Sequence, residues 1–189
     1  MTAPSTLALT PAELSGSYTL DTTHSRIGFV ARHAMVTKVR GSFNAFDGKA
    51  VLDFADPSRS SATVSIEVAS IDTRQAQRDE HLRTNDFFDA PTFPAITFTS
   101  TAVEKLDEQT YRLSGDLTIK GVSKPIAVDF EYAGAAKDPY GNVRLGFEGS
   151  TTIQRSDYGV TFNAALETGG MLVSEKITIE FEVSAVKDA

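Results

Sequence analysis

Apolar side chains recur at every second residue along most of this chain, and a period of two dictates strands. Ile27, Phe29 and Ala31 share one parity, as do Val39, Gly41 and Phe43. Ala50, Leu52 and Phe54 repeat the pattern, and so do Val64, Ile66 and Val68. Ile126, Val128, Phe130 and Tyr132 make a longer stripe; Val143, Leu145 and Phe147 a shorter one; Ile177, Ile179, Phe181 and Val183 the last. The alternate positions are mostly polar, and in the last run they are Lys176, Thr178, Glu180 and Glu182. Successive side chains of a strand point to opposite faces, so each run has one dry and one wet face. Antiparallel sheets carry that pattern, whereas parallel strands, covered on both faces, read as unbroken apolar runs.

The runs add up to about eight or more strands, and no linker or internal repeat divides them. Asp47-Gly48, Ser114-Gly115-Asp116 and Asp138-Pro139-Tyr140-Gly141-Asn142 read as turns. A sheet this wide with one wet face stacks on a second sheet or closes on itself. Periodicity leaves both open: a packed sandwich core, or a barrel with room inside. The lack of Trp and the small inward candidates Ala31, Gly41, Ala50, Ala62 and Gly149 favour the cavity.

Residues 73–85 break the alternation and contain good helix formers. A helix is predicted there, with Thr73 as N-cap, Asn85 as its stop and Asp79 paired to Arg83 at i,i+4. Phe87, Phe88 and Phe93 follow and would tether it over a barrel end. Residues 1–15 read as a loose arm with one helical turn at Pro11–Leu14, and residues 16–187 as the folded domain.

A length of 189 residues suits one domain, and 41% apolar residues suffice for a core or a lined cavity. There is no Cys to form disulfides or thiolate metal sites. Acids outnumber bases 25 to 18, a balance unsuited to general nucleic-acid binding. No stretch approaches the roughly 20 apolar residues of a membrane-spanning helix. The first ten residues have neither a basic nor a long apolar leader segment, so a cytoplasmic location is expected.

Within this acidic chain, Thr22–Phe46 contains no Asp or Glu but holds Arg26, Arg32, Lys38 and Arg40, with His24 and His33. Parity sends the four bases to the outer wall or the rim. One reading pairs them with acids on neighbouring strands; the other is attraction of a pyrophosphate or an anionic membrane surface. His24, His33 and His81 show no metal-ligand spacing, so no metal is expected. His33 keeps the inward parity of Ile27 and Phe29. His24 and Ser25 are neighbours on a strand and face opposite ways, and no nucleophile elbow or phosphate-binding glycine loop is present. Arg155-Ser156-Asp157-Tyr158-Gly159 reads as an ion-paired turn.

These residues include a longer ordered series. It runs Tyr18-x-Leu20-Asp21-x-x-His24-Ser25, Phe29, His33, Gly41-x-Phe43, Ser70-Ile71-Asp72-Thr73 and Arg78-Asp79-x-His81-Leu82. Asp86-Phe87-Phe88, Phe93-Pro94, Ile96-x-Phe98-x-Ser100, Gly115-Asp116-Leu117-Thr118-Ile119-x-Gly121-Val122 and Arg155-x-Asp157-Tyr158-Gly159 follow. In this order, from about Gly16 to Val186, the chain resembles the YceI family of polyisoprenoid-binding, lipocalin-like proteins. The resemblance implies an all-β fold: a single eight-stranded antiparallel lipocalin-like barrel with a short helix near one end. It implies a tunnel for an isoprenoid chain, such as a polyprenyl phosphate or a quinone tail, and no catalysis. Many relatives carry a leader and are periplasmic.

The expectation is therefore a non-catalytic lipid-binding protein that stores or transports an isoprenoid or other long-chain lipid. Its lumen contacts would be Ile27, Phe29, His33, Phe43, Ile66, Phe98, Leu117, Ile119, Phe130, Leu145, Phe147, Ile179 and Phe181. Arg32, His33, Arg40 and His81 would meet the head group. No cofactor is expected beyond a bound polyisoprenoid, quinone or fatty lipid. A transient membrane-surface contact and a homodimer are the other partners considered. Two alternatives stand beside this. One is an enzyme acting on a lipid phosphate or ester through His24, Asp157 and Arg155. The other is an interaction module whose barrel is filled.

Overall fold

The computed structural model describes residues 8–189. Eleven strand segments among them occupy eight positions of one closed antiparallel barrel. β1 (Gly16–Leu20) and β2 (Arg26–His33) run in line as the first position, and β3 (Thr37–Phe43) and β4 (Phe46–Leu52) as the second. β5 (Ser61–Glu67) and the short β6 (Ile71–Asp72) form the third. β7 (Ala95–Lys105), β8 (Thr110–Ile119), β9 (Val122–Lys137), β10 (Val143–Gln154) and β11 (Lys176–Lys187) are the other five. One edge of β11 pairs with β10; the other takes both β1, with Tyr18 opposite Lys187, and β2, with Phe29 opposite Ile179. That closes the ring and leaves no long free edge.

The in-line breaks are local and hydrogen-bonded. Between β1 and β2 the chain loops out at residues 21–25, while the Asp21 N–H and the Ser25 hydroxyl both donate to the Ser184 carbonyl. Of the three expected turns, only the one at Asp138 forms. Its carboxylate accepts from the Tyr140 and Asn142 N–H groups at 2.9 Å each. Asp47-Gly48 lies inside β4, and Ser114-Gly115-Asp116 inside β8. Gly115 is there for space: a Cβ would stand 2.4 Å from the Thr99 carbonyl oxygen and 2.5 Å from the Phe98 ring. Gly in a strand commonly marks such a close approach.

Each barrel end carries a helix. At one end, α1 (Pro11–Leu14) starts with a capping box between Thr10 and Glu13. Leu14 is buried with Tyr18, Leu145 and Ala185, with Leu9 packed alongside, and the Tyr18 hydroxyl donates to the Leu14 carbonyl at 2.5 Å. Residues 8–15 are thus docked and not a loose arm, because Leu9 and Leu14 cover the apolar barrel end; residues 1–7 lie outside the described residues.

At the other end, α2 (Ala76–Leu82) is shorter than the expected 73–85, and Gln75 caps it by accepting from the Arg78 N–H. Thr73 bonds the buried Asp79 instead, through its N–H at 2.9 Å and its hydroxyl at 2.5 Å. Arg83 donates to the Ala69 and Ile71 carbonyls, so the expected Asp79–Arg83 pair does not form. A buried carboxyl left without donors is costly, and Thr73 supplies two from close by.

Candidate functional site

A cavity of about 310 Å³ extends through the barrel interior. Its lining reaches from Phe54 and Tyr111 at the α1 end to Leu82, Phe88 and Val173 at the α2 end. Ile27, Phe29, Phe43, Ile66, Phe98, Leu117, Ile119, Phe130, Phe147, Ile179 and Phe181 all line it. Ala31, Ala50 and Ala62 line it too, and there the small side chains do leave room. Gly41 and Gly149 do not. Phe29 lies over Gly41 and Phe130 over Gly149, with ring carbons 2.3 and 2.9 Å from where a Cβ would stand.

Two expected lumen residues are elsewhere. Leu145, near the start of β10, is buried in the α1 plug against Leu14 and Tyr18 and does not line the cavity. His33 has the right parity but is the last residue of β2, exposed at the rim, where it bridges to Val173. Parity predicts the face of a strand and not the height at which a plug begins.

The α2 end is closed by side chains. Leu82, Phe87 and Phe88 line the cavity there, and Phe88 meets Phe43 edge-on at 6.0 Å between centroids. Phe93 does not join them and instead covers Gly121 in the β8–β9 turn. Tyr158, Val160 and Val173 add to the cover from a segment without periodicity, which is why the sequence reading missed them. Arg155 holds this segment in place. It is only 5% exposed. Its guanidinium donates to the carbonyls of Ser174, Val160 and Phe162 at 2.8–2.9 Å and, more weakly, of Val173, and Glu175 lies 3.3 Å away. Burial pulls its pKa down, and Glu175 works against that shift. With its donors spent on the backbone, Arg155 offers the cavity little polarity.

The α1 end is aromatic. Phe54, Tyr111, Tyr132 and Phe147 contact one another with centroids 5.3–6.4 Å apart. Burial, and then the neighbouring Tyr111, raise the pKa of Tyr132. Tyr18 is pushed up to about 12 by burial and then by Tyr132.

The four expected head-group residues are not brought into one pocket, and none lines the cavity. Arg40 points outward and sits 3.6 Å from Glu180, which Arg26 approaches at the same distance. Those two bases therefore share an acid of β11, the neighbour of β2 and one strand beyond β3. Arg32 is exposed on the outer wall, and among the described residues its guanidinium reaches only the Val36 carbonyl, at 3.4 Å. His81 bonds Asp86 at 2.7 Å and packs edge-on against Phe87 and Phe162, outside the Phe87 cover.

The residues of the enzymatic alternative are also separated. His24 is bonded to Asp21 at 2.8 Å in the β1–β2 loop, and Asp21 holds Arg144 near the start of β10. Arg155 follows the end of the same strand, about 35 Å further along the chain path.

A family model described as the YceI-like domain matches residues 18–185. A UPF0312 protein of Staphylococcus aureus is 39% identical over 170 residues, covering 89% of this chain and 95% of the relative. The crystal structure of the Campylobacter jejuni YCEI protein superposes with a TM-score of 0.73 at 33% identity, over 84% of this chain and 90% of that one. A polyisoprenoid binding domain from Saccharophagus degradans, implicated in plant cell wall breakdown, has the same fold with a TM-score of 0.70 at 17% identity, over 90% and 98% of the two chains. The barrel, its domain match and these relatives together place the chain in the YceI family.

Proposed function

We propose that this barrel binds one long apolar molecule of the isoprenoid class in its lumen and carries or stores it without chemical change. The observation that carries the reading is the cavity itself, an interior walled by Phe, Ile, Leu and Ala and covered at the α2 end by Phe87 and Phe88. Apolar cavities stay dry and take apolar guests. Each buried CH₂ contributes roughly 0.8 kcal/mol, so a polyprenyl tail would bind tightly with few polar contacts. The Saccharophagus domain of the same fold is described as polyisoprenoid binding, which supports this ligand class. Polyprenyl phosphates and isoprenoid quinones are the two proposed forms. A hydrocarbon wall discriminates weakly among tails of like shape, so selectivity between them rests on the head group.

The test is organic extraction of the purified protein followed by mass spectrometry, with uptake of an added isoprenoid quinone as the second arm. A co-purifying isoprenoid or stoichiometric uptake is expected. An empty protein that takes up no quinone would overturn the reading.

A further inference from the structure

Three of the six large apolar side chains left exposed among the described residues meet at one place. Met35 and Val36 form the tip of the β2–β3 hairpin, 64% and 74% exposed, and Met171, 44% exposed, stands on the loop beside it. The two segments are joined. The Ala34 N–H donates to the Leu172 carbonyl at 2.8 Å, and the Met35 sulfur lies against Gly170. Ala34 and Met35 both adopt positive φ, at 52° and 60°. That conformation disfavours any residue with a Cβ and is usually given to Gly or Asn. Here it holds a methionine out at the tip of the turn.

The wall directly behind the tip is basic. Arg32 and Lys38 face each other across β2 and β3, both exposed. Like charges opposite one another in a sheet repel. Arg26 and Arg40, further along, share Glu180, whereas Arg32 and Lys38 belong to no ion pair among the described residues. Exposed Lys176 opens β11, just after Ser174, whose hydroxyl accepts from the Arg32 N–H. Of the acids at this end, Glu175 sits against Arg155, Asp86 is bonded to His81, and Glu167 lies on the loop that bears Met171. In a chain of net charge −7, this tip stands beside three exposed cations on one wall, Arg32, Lys38 and Lys176, none of them in an ion pair among the described residues.

We infer that the tip formed by Met35, Val36 and Met171 docks on an anionic lipid bilayer. Apolar side chains enter the boundary between head groups and acyl chains, while Arg32, Lys38 and Lys176 meet lipid phosphates. Exposed Met and Val beside a like-charge pair match the two contacts that a bilayer surface offers, hydrocarbon and phosphate. The geometry also gives docking a use. The loop that bears Met171 continues to Val173, which lines the cavity, so the bilayer would press on the segment that closes the α2 end.

The test is co-sedimentation of the full chain, free of added ligand, with vesicles of equal parts phosphatidylglycerol and phosphatidylcholine, and with pure phosphatidylcholine vesicles. Binding to the anionic vesicles that weakens with added salt is expected. Arg32→Ala and Lys38→Ala should each weaken it about fivefold, the worth of one basic residue near such a surface. The Met35→Asp/Val36→Asp pair should reduce it by about tenfold or more. Tyr140→Asp, which removes an exposed ring at the opposite barrel end, should change nothing. The inference is overturned if the wild-type protein does not bind anionic vesicles or if neither set of variants weakens binding. It is also overturned if Met35→Asp/Val36→Asp instead splits a dimer in sedimentation velocity. Cavity loading is read separately, with quinone delivered from cyclodextrin in the absence of vesicles. Loss of docking with loading intact overturns docking alone; loss of loading with docking intact overturns only the proposed lumen function.

Discussion

The ring of Phe29 occupies the place where Gly41 lacks a side chain, its Cζ 2.3 Å from the position a Cβ would take. The two residues are directly opposite in the β2–β3 register. Phe130 and Gly149 repeat the relationship between β9 and β10. In each pair the glycine lets an aromatic ring settle against the wall and not across the lumen, a form of cross-strand aromatic cover. The glycines therefore keep the cavity open indirectly.

Gly41→Ala should drive Phe29 into the lumen. The expected cost in stability is about 1–3 kcal/mol, the usual range for overpacking. The longest quinone tail accepted should also shorten. Urea unfolding measures the first, and uptake across a series of quinones of increasing tail length measures the second. An unchanged tail limit would show that Phe29 does not border the ligand path.

Much of the wall was legible because strand parity is a local rule. Eleven of the expected lumen residues, Ile27 to Phe181, line the cavity. What parity does not carry is height along the barrel and contact across it. Leu145 has the correct face but sits under Leu14, a partner 131 residues away in sequence whose docking no periodicity announces. His33 is likewise one residue too far along its strand. Asp47-Gly48 reads as a turn only because the Leu20 side chain and the Thr63 carbonyl that crowd Gly48 come from other strands. The Arg155 cluster was recognisable as a charged turn, but its four carbonyl partners are backbone groups and leave no mark in side-chain identity.

Arg155→Met keeps much of the volume and removes the donors. The carbonyls of Val160, Phe162 and Ser174 then lose this donor, while that of Val173 keeps the Asn163 amide at 2.8 Å, and each buried group left unpaired costs about 1–3 kcal/mol. A destabilisation of about 3 kcal/mol or more is expected, with amide exchange accelerated first in residues 160–174. Arg155→Lys should not restore protection, because an ammonium cannot reproduce the planar fork that spans these carbonyls. Uniform exchange across the barrel would argue against a local role.

Tyr18→Phe tests the α1 plug. The Leu14 carbonyl loses its hydroxyl donor, for an expected loss of about 1–2 kcal/mol. The pH dependence should change as well. Burial raises the folded-state pKa of Tyr18 to about 12 from an ordinary 10.0, so the unfolded chain releases this proton first. The contribution is complete below pH 10 and is lost as pH rises toward 12. Chemical denaturation across that range should therefore fall less steeply for Tyr18→Phe than for the wild-type protein.

At acid pH the sign reverses. The Asp21 carboxylate accepts from the Thr23 hydroxyl and N–H, from Arg144 and from His24 at 2.5–3.0 Å. Thr23 first, then Arg144 and His24, hold its pKa well below the ordinary 3.8. Asp138 is pushed up by burial, but bonds from Asn142, Arg144 and Tyr140 outweigh that and bring it to about 2. A depressed folded-state pKa means that the unfolded chain binds the proton more readily. The stabilisation is thus full above the ordinary aspartate range and drains away as pH falls from about 4 toward 2. Arg144 is the group common to both carboxylates, tying the β1–β2 loop to the β9–β10 turn. Arg144→Met should lower stability at neutral pH and flatten the loss between pH 5 and 2, since both carboxyls then titrate nearer their unfolded values. Unfolding free energies at intervals across this range decide it. An acid limb as steep as that of the wild-type protein would mean that Arg144 does not control the titration of either carboxyl.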